Sequence, residues 1–461
     1  MSLRRIAELR SGRRTECAAP LARDRRSRFT SRKSPHQRIA LAMGVCHQEL
    51  LDICQAGNGN MNQKNAESKN AEPERKATDG GNRKMKTTNK KQSVIAVLIG
   101  LTLVVVIMAA GINSQKVPKR TTAQGVMTKY WSAGSAAAES LRNYVSKVTN
   151  PNDTDHFIPV KDRVAVFDMD GTLTCETFYT YYDTMMFIEY CLHDHPESVS
   201  QELKEIAASI KPGYTADEAL ARNFAKAYAG MTVEEFYEYA SEFGRKYTQS
   251  FTNMHYSDCS YLPMVELVQY LVENDFTVYV ISGTERTTTR AIIAGTPLKD
   301  YITPNHVIGT DFEVKQKGHE KEASNMDYKY EDGDELVLTG GFIQKNLNGN
   351  KSLYIEREIG QRPVLAFGNS GSDTSMMNYT IDSRNPYPAE AYMVVADDDV
   401  REWGTQDWTE KSAEYREKGY VPISMKNDFA QIYPEGIAKA AEQYQEKAFN
   451  IADESDSAAA A

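Results

Sequence analysis

Two carboxylates two residues apart, Asp168 and Asp170, close an apolar run in Val164-Ala-Val-Phe-Asp168-Met-Asp170-Gly171-Thr172. The run reads as a buried strand. Acids at i and i+2 on a strand point the same way and repel, which a chain tolerates mainly where a cation or a shared proton compensates. Gly171 lets the backbone turn and come close to a ligand. Ser282-Gly283-Thr284, after a second apolar run, offers a hydroxyl and backbone N–H groups to a phosphate. Lys351 is a point charge for phosphate oxygens. Gly368-Asn369-Ser370-Gly371-Ser372-Asp373 supplies oxygen ligands after a third run, a set suited to Mg²⁺.

These residues need a frame that brings strand ends together. Short apolar runs recur at Val164–Phe167, Thr277–Ile281, Val364–Phe367 and Tyr392–Val395, separated by helical stretches. That alternation predicts an α/β fold, a Rossmann-like parallel sheet with helices on both faces. Ligands bind beyond the carboxyl ends of such strands, where Asp168, Ser282 and Asn369 fall. Between Glu176 and Leu262 the strand signal disappears. Ser198-Val-Ser-Gln201, Thr215-Ala-Asp-Glu218 and Thr232-Val-Glu-Glu235 each read as a capping box opening a helix. An all-helical insert after the first strand would sit over the site as a lid. From Gly309 to Gly349 the turn signals Asp332-Gly333, Gly340-Gly341 and Asn348-Gly349 predict a hairpin or flap. A short helix is expected from about Ser135 to Val148.

The overall charge of −9 conceals a split. Residues 1–92 carry 21 Lys and Arg against 9 Asp and Glu, a net +12, which leaves −21 for the remainder. An acidic body argues against nucleic acid as partner of the catalytic part, since phosphate backbones need a basic face. Eleven arginines between Arg4 and Arg38, with few large apolar residues, predict a disordered basic extension or a misassigned start. Residues 93–112 form a 20-residue uncharged apolar stretch, the length of a spanning helix, preceded by Lys84, Lys86, Lys90 and Lys91. Positive charge on that side predicts a transmembrane anchor or signal peptide with the catalytic domain outside the cytoplasm. The membrane is then a partner through residues 93–112, and the expected location is a bacterial cell membrane, or the exterior after cleavage. Cys175, Cys191 and Cys259 would permit one disulfide there. Cys175 is not read as a nucleophile, because no His is placed to activate it.

The ordered combination Asp-x-Asp-Gly-Thr, Ser-Gly-Thr, Lys and Gly-Asn-Ser-Gly-Ser-Asp resembles the haloacid dehalogenase superfamily of phosphohydrolases, over about Pro159 to Ile432. Phe157-Ile-Pro-Val-Lys-Asp-Arg-Val-Ala-Val-Phe-Asp168, Arg362-Pro-Val-Leu-Ala-Phe-Gly-Asn-Ser370 and Pro422-Ile-Ser-Met-Lys-Asn-Asp428 are similar to its phosphoserine-phosphatase-like branch with a helical cap. The resemblance implies that Asp168 attacks phosphorus and forms an aspartyl-phosphate, and that Asp170 serves as acid and then base. It implies that Thr172, Ser282, Gly283 and Lys351 hold the phosphate, and that Asp168, Asp170, Asn369 and Asp373 bind Mg²⁺. Lys345 competes for the role of Lys351; spacing to Gly368 favours Lys351. Many relatives have Asp where Asn369 stands, and Glu176 lies one position from a substrate-binding Glu of phosphoserine phosphatases. For Glu176 and Arg286 a solvated rim charge and a substrate contact are equally open.

The reading is thus an Mg²⁺-dependent phosphomonoester hydrolase, exported or membrane-anchored, acting on a small-molecule phosphate ester. A catalytically weakened cell-surface binding protein, with Asn369 as the sign of decay, and a phosphoserine-type phosphatase remain open. The expected division is a basic extension over 1–92, an anchor over 93–112 and a tether and lead-in over 113–160. A catalytic core follows over 161–175 and 263–450, with a helical cap over 176–262 and a disordered tail over 451–461.

Overall fold

In the computed structural model, residues 125, 127–211 and 217–444 are described. The expected basic extension, the apolar segment at 93–112 and the C-terminal tail lie outside them. The first helix, α1 (Ala136–Thr149), starts where Ser135 Oγ accepts from the Ala138 N–H. Leu141, Val145 and Val148 are buried on one face, and the Tyr144 hydroxyl donates to the carbonyls of Val364 and Pro388. The described part of the 113–160 stretch therefore contributes to the core.

β1 (Val164–Phe167) is buried along its whole length because strands flank it on both sides. Four helices then intervene: α2 (Tyr182–Glu189), α3 (Gln201–Ser209), α4 (Glu218–Ala227) and α5 (Val233–Phe243). Thr232 and Glu235 form the expected capping box. The other two caps fall two residues later than expected, on Ser200 and Asp217. After the short β2 (Phe251–Thr252) come α6 (Leu262–Glu273), β3 (Thr277–Glu285), α7 (Arg286–Gly295), β4 (Val307–Gln316) and β5 (Leu336–Gln344). The chain continues through α8 (Gly349–Tyr354), β6 (Leu365–Gly368), α9 (Thr374–Ile381), β7 (Glu390–Val395), α10 (Trp408–Glu417) and β8 (Val421–Ser424). It closes with α11 (Met425–Asp428) and β9 (Ala438–Lys439), which pairs with β2.

The main sheet has the order β5-β4-β3-β1-β6-β7-β8, parallel throughout except for the antiparallel β4–β5 edge. This is the Rossmann-like architecture with an α-helical insertion after the first strand. The polar stretch expected as a hairpin is β4 and β5, but Gly340-Gly341 lies inside β5, where the register shifts, rather than at the turn. The insertion is joined to this edge by hydrogen bonds from the Gly230 N–H to Leu338 O and from the Leu338 N–H to Met231 O.

Register in the centre of the sheet places the site. Phe167 pairs with Phe367, and Phe367 with Tyr392. Their rings stack at 4.2 and 5.2 Å between centroids. Because β1 and β6 are aligned in this way, Asp168 and Asn369 leave the sheet side by side. The Asp168 N–H donates to Phe367 O at 2.9 Å.

Two expectations are corrected. Among the described residues no helix is long and apolar enough to cross a membrane. The longest, α1, has 14 residues, about 21 Å at 1.5 Å per residue, against a hydrocarbon core of about 30 Å. The membrane partner and the membrane-held location have no described helix to carry them; residues 93–112, on which they rested, lie outside the described residues. The three thiols, Cys175, Cys191 and Cys259, are buried and free, so the permitted disulfide does not form.

Candidate active site

Asp168 and Asp170 follow β1, and Gly171 follows with a φ of +75°. A Cβ at Gly171 would lie 1.9 Å from Asn369 Nδ2 and 2.5 Å from Glu176 Cδ, so this turn requires glycine. Lys351, on the first turns of α8, is 0% exposed and its ammonium pairs with Asp168 Oδ1 and, at 2.7 Å, with Asp373 Oδ1. Burial works against the charge on Lys351, but Asp168 and then Asp373 outweigh it and hold its pKa above the ordinary value. One ammonium shared by two carboxylates leaves an excess negative charge in a dry place. Burial, then Asp373, push the Asp168 carboxyl up to about 7, with Lys351 opposing.

Asp170 is held differently. Its Oδ2 accepts from the Thr284 hydroxyl at 2.8 Å. Its Oδ1 is buried and finds no hydrogen-bond partner among the described residues. Burial, then Asp183 and Asp168, push its pKa well above the ordinary carboxylate range, while Thr284 pulls it down. A shift in this direction favours the protonated form, the one that can give a proton away. Ser282 is fully buried, and its hydroxyl accepts from the Thr284 N–H at 3.0 Å. The Thr172 hydroxyl stands 3.4 Å from Asp168 Oδ2.

A cavity of about 270 Å³ opens over these groups. Asp168, Asp170, Gly283, Thr284 and Asn369 line it from the core; Tyr181 and Asp183 line it from the start of the insertion. Glu176 lines it as well and accepts from Asn369 Nδ2 at 2.9 Å. Burial pushes the Glu176 carboxyl up to about 8, opposed by the Asn369 bond. Glu176 is therefore not a solvated rim charge. Its neighbour Thr177 is tied to the buried Glu402, which also accepts from the Tyr433 hydroxyl. Arg286 is engaged elsewhere, in ion pairs with Asp311 at 2.8 Å and Glu358 at 2.7 Å. Sequence reasoning missed Asp183 and Tyr181, and it left Thr284 without a role. Thr284 could have been found from its place in the Ser-Gly-Thr run, but no local signal marks the other two.

The residues expected to bind Mg²⁺ are in large part bonded to one another. Asp373 Oδ1 is taken by Lys351, and its Oδ2 accepts from the N–H groups of Asn369 and Ser370, each at 3.1 Å. Asn369 Nδ2 donates to Glu176, and Asp168 Oδ1 pairs with Lys351. Mg²⁺ demands near-octahedral oxygen ligation, and among the described residues no group of three or more His, Cys, Asp or Glu is arranged to hold a metal. Asp168, Asp170, Asn369 and Asp373 do come together, but as an ion-paired and capped cluster. Asp168 Oδ2 and Asn369 Oδ1 stay outside these bonds, so the arrangement, which supplies no metal-holding group among the described residues, does not engage every expected oxygen donor.

Residues 165–378 match the family model of haloacid dehalogenase-like hydrolases, a fold that typically works with Mg²⁺. No curated protein matches the chain. Similar solved structures include a conserved protein of unknown function from Anaerococcus prevotii, 13% identical with a TM-score of 0.40, covering 66% of this chain and 94% of that one. A phosphoserine phosphohydrolase-like protein from Francisella tularensis is 17% identical with a TM-score of 0.25, covering 50% and 87%. A cytosolic 5'-nucleotidase IIIB bound to cytidine is 10% identical with a TM-score of 0.33, covering 63% and 86%. Likenesses this low carry no argument about activity.

Proposed function

We propose that this chain, a hydrolase of the haloacid dehalogenase superfamily by fold and by the match over residues 165–378, is a phosphatase of small phosphate esters. The observation that carries the reading is the buried cluster at the aligned ends of β1 and β6: Lys351 between Asp168 and Asp373, with Asp170 beside them. In this reading Asp168 attacks phosphorus through Oδ2, the oxygen not paired with Lys351. As that P–O bond forms, the ester P–O bond breaks. The departing oxygen keeps the electron pair and takes a proton from Asp170. Asp170, now ionised, then takes a proton from a water that attacks phosphorus, and the bond between phosphorus and Asp168 Oδ2 breaks, returning the carboxylate and releasing inorganic phosphate.

Lys351 offsets the charge that Asp168 and the phosphoryl oxygens bring together. The Gly283 N–H, on the cavity wall late in β3, would donate to those oxygens, while the Thr284 N–H is held by Ser282 Oγ; Ser282 and Thr172 shape the turns around them. No step is routed through a metal. We assign α2 to α5 the part of a cap, supported by Tyr181 and Asp183 on the cavity wall. The phosphoserine-phosphatase-like branch rests on the sequence motifs alone. Release of inorganic phosphate from a panel of small esters, 4-nitrophenyl phosphate among them, tests the reading. A folded protein that releases none from any ester is not a phosphatase.

A further inference from the structure

Lys345 has no part in the reaction just described, yet it is only 7% exposed and its side chain lines the cavity. Among the described residues no hydrogen bond or ion pair reaches its ammonium. Its backbone is fixed: Lys345 O accepts from Asn350 Nδ2 at 2.8 Å, and the next residue, Asn346, is bonded to Thr310 Oγ1 and Ser282 O. An ammonium taken out of water without a partner is costly, and nothing in the packing of this loop requires one. The same cavity holds a buried polar atom with no hydrogen-bond partner among the described residues, Asp170 Oδ1.

The position of Lys345 separates it from the phosphoryl end. Lys351 already serves Asp168. The charges acting on Lys345 are first those of Asp183, then Asp170, Asp217 and Lys351. Asp183 and Tyr181 come from the insertion, so Lys345 faces the insertion side of the cavity, beyond the acid that would protonate the leaving oxygen. Burial holds the Lys345 ammonium below its ordinary pKa, and the carboxylates of Asp183, Asp170 and Asp217 oppose it.

We infer that Lys345 receives a second anionic oxygen group of the substrate, so that the esters hydrolysed here have a leaving group that is itself negatively charged. The inference rests on the phosphatase reading above. A carboxylate or a second phosphate would supply the same chemistry: oxygens to accept from the buried ammonium and charge to match it.

The test compares 3-phosphoglycerate with glycerol 3-phosphate, which differ by a carboxylate in place of a hydroxymethyl group. A charge-assisted hydrogen bond in a dry site predicts a kcat/KM preference of about 10- to 100-fold for 3-phosphoglycerate. In Lys345→Met that ratio should fall toward one, while inhibition by inorganic phosphate moves by less than about threefold. Lys345→Arg should keep the preference, and Lys345→Gln, read in parallel with Lys345→Met, guards against a variant that fails to fold. No preference in the unaltered protein, or one that survives in both neutral variants, overturns the inference. So does an equal loss on both esters with weakened phosphate inhibition, which would put Lys345 on the transferring group. If neither ester nor any other releases phosphate, the phosphatase reading itself has failed, and that outcome is distinct from the others.

Discussion

Asn369 donates its side-chain amide to Glu176 at 2.9 Å, across 193 residues of sequence. The bond closes one wall of the cavity, over a glycine that has no room for a side chain. Asn369→Asp would set two carboxyls against each other and remove the donor. It should cost about 1–3 kcal/mol of stability, the range for losing a hydrogen bond to a charged or buried group. Adding Glu176→Gln reverses donor and acceptor and should recover most of the loss. Urea unfolding of the two single variants and the double variant measures this, and additive losses would show that the residues do not interact.

The raised carboxyls make stability depend on pH. The ordinary value for Glu176 is 4.5, and burial lifts it to about 8 in the fold. The folded protein then holds a proton that the unfolded chain has released. The stability contribution is complete below about pH 4.5 and is lost as pH rises toward 8. Asp168, lifted to about 7, acts in the same direction. Urea midpoints at pH 5, 6.5 and 8 should fall in that order, and Glu176→Gln should flatten the slope. A variant with an undiminished slope would place the titrating group elsewhere.

Lys351 is enclosed with two carboxylates. Lys351→Met leaves both without a counter-charge, and breaking a buried pair by removing one partner costs about 3–5 kcal/mol. Calorimetry or denaturant unfolding near neutral pH should show a loss of that size. A loss under about 1 kcal/mol would mean that the cluster is more hydrated than its burial indicates.

Thr284 tunes the proposed acid. Its hydroxyl favours the charged form of Asp170. Thr284→Val removes that bond, so the Asp170 pKa should rise further. The limb of the kcat/KM profile that reports this acid should move to higher pH, with turnover otherwise retained. A limb that moves down, or stays put, would separate Asp170 from the titration.

Much of the site was legible because its parts are local. Apolar runs that stop at Asp168 and Gly368 mark strand ends, while β3 runs on past Ser282 to Glu285, and parallel strands bring such ends to one side of a sheet. The Phe167–Phe367–Tyr392 ladder is the register behind that rule. The residues that were missed depend on partners distant in sequence. Asp183 reaches the cavity because the insertion folds back and bonds to β5 at Leu338. The bonding of the expected metal donors was hidden for a related reason: the motif lists oxygen donors, but the fold engages Asp373 with Lys351 and with two backbone N–H groups. Two of the three capping boxes were displaced because Ser200 and Asp217 offer the same chemistry two residues further on.

The central claim is that Asp168 carries the reaction, and Asp168→Asn tests it most directly. An amide can keep much of the packing beside Lys351 but cannot replace the attacking carboxylate. The measurement is the rate of phosphate release from 4-nitrophenyl phosphate by folded, matched preparations of the unaltered protein and of Asp168→Asn. The account predicts steady turnover by the first and a rate lower by a factor of about 10³ or more in the second, since a lost covalent nucleophile leaves only binding and electrostatics. Turnover by Asp168→Asn within tenfold of the unaltered protein would contradict it and move the nucleophile to another residue.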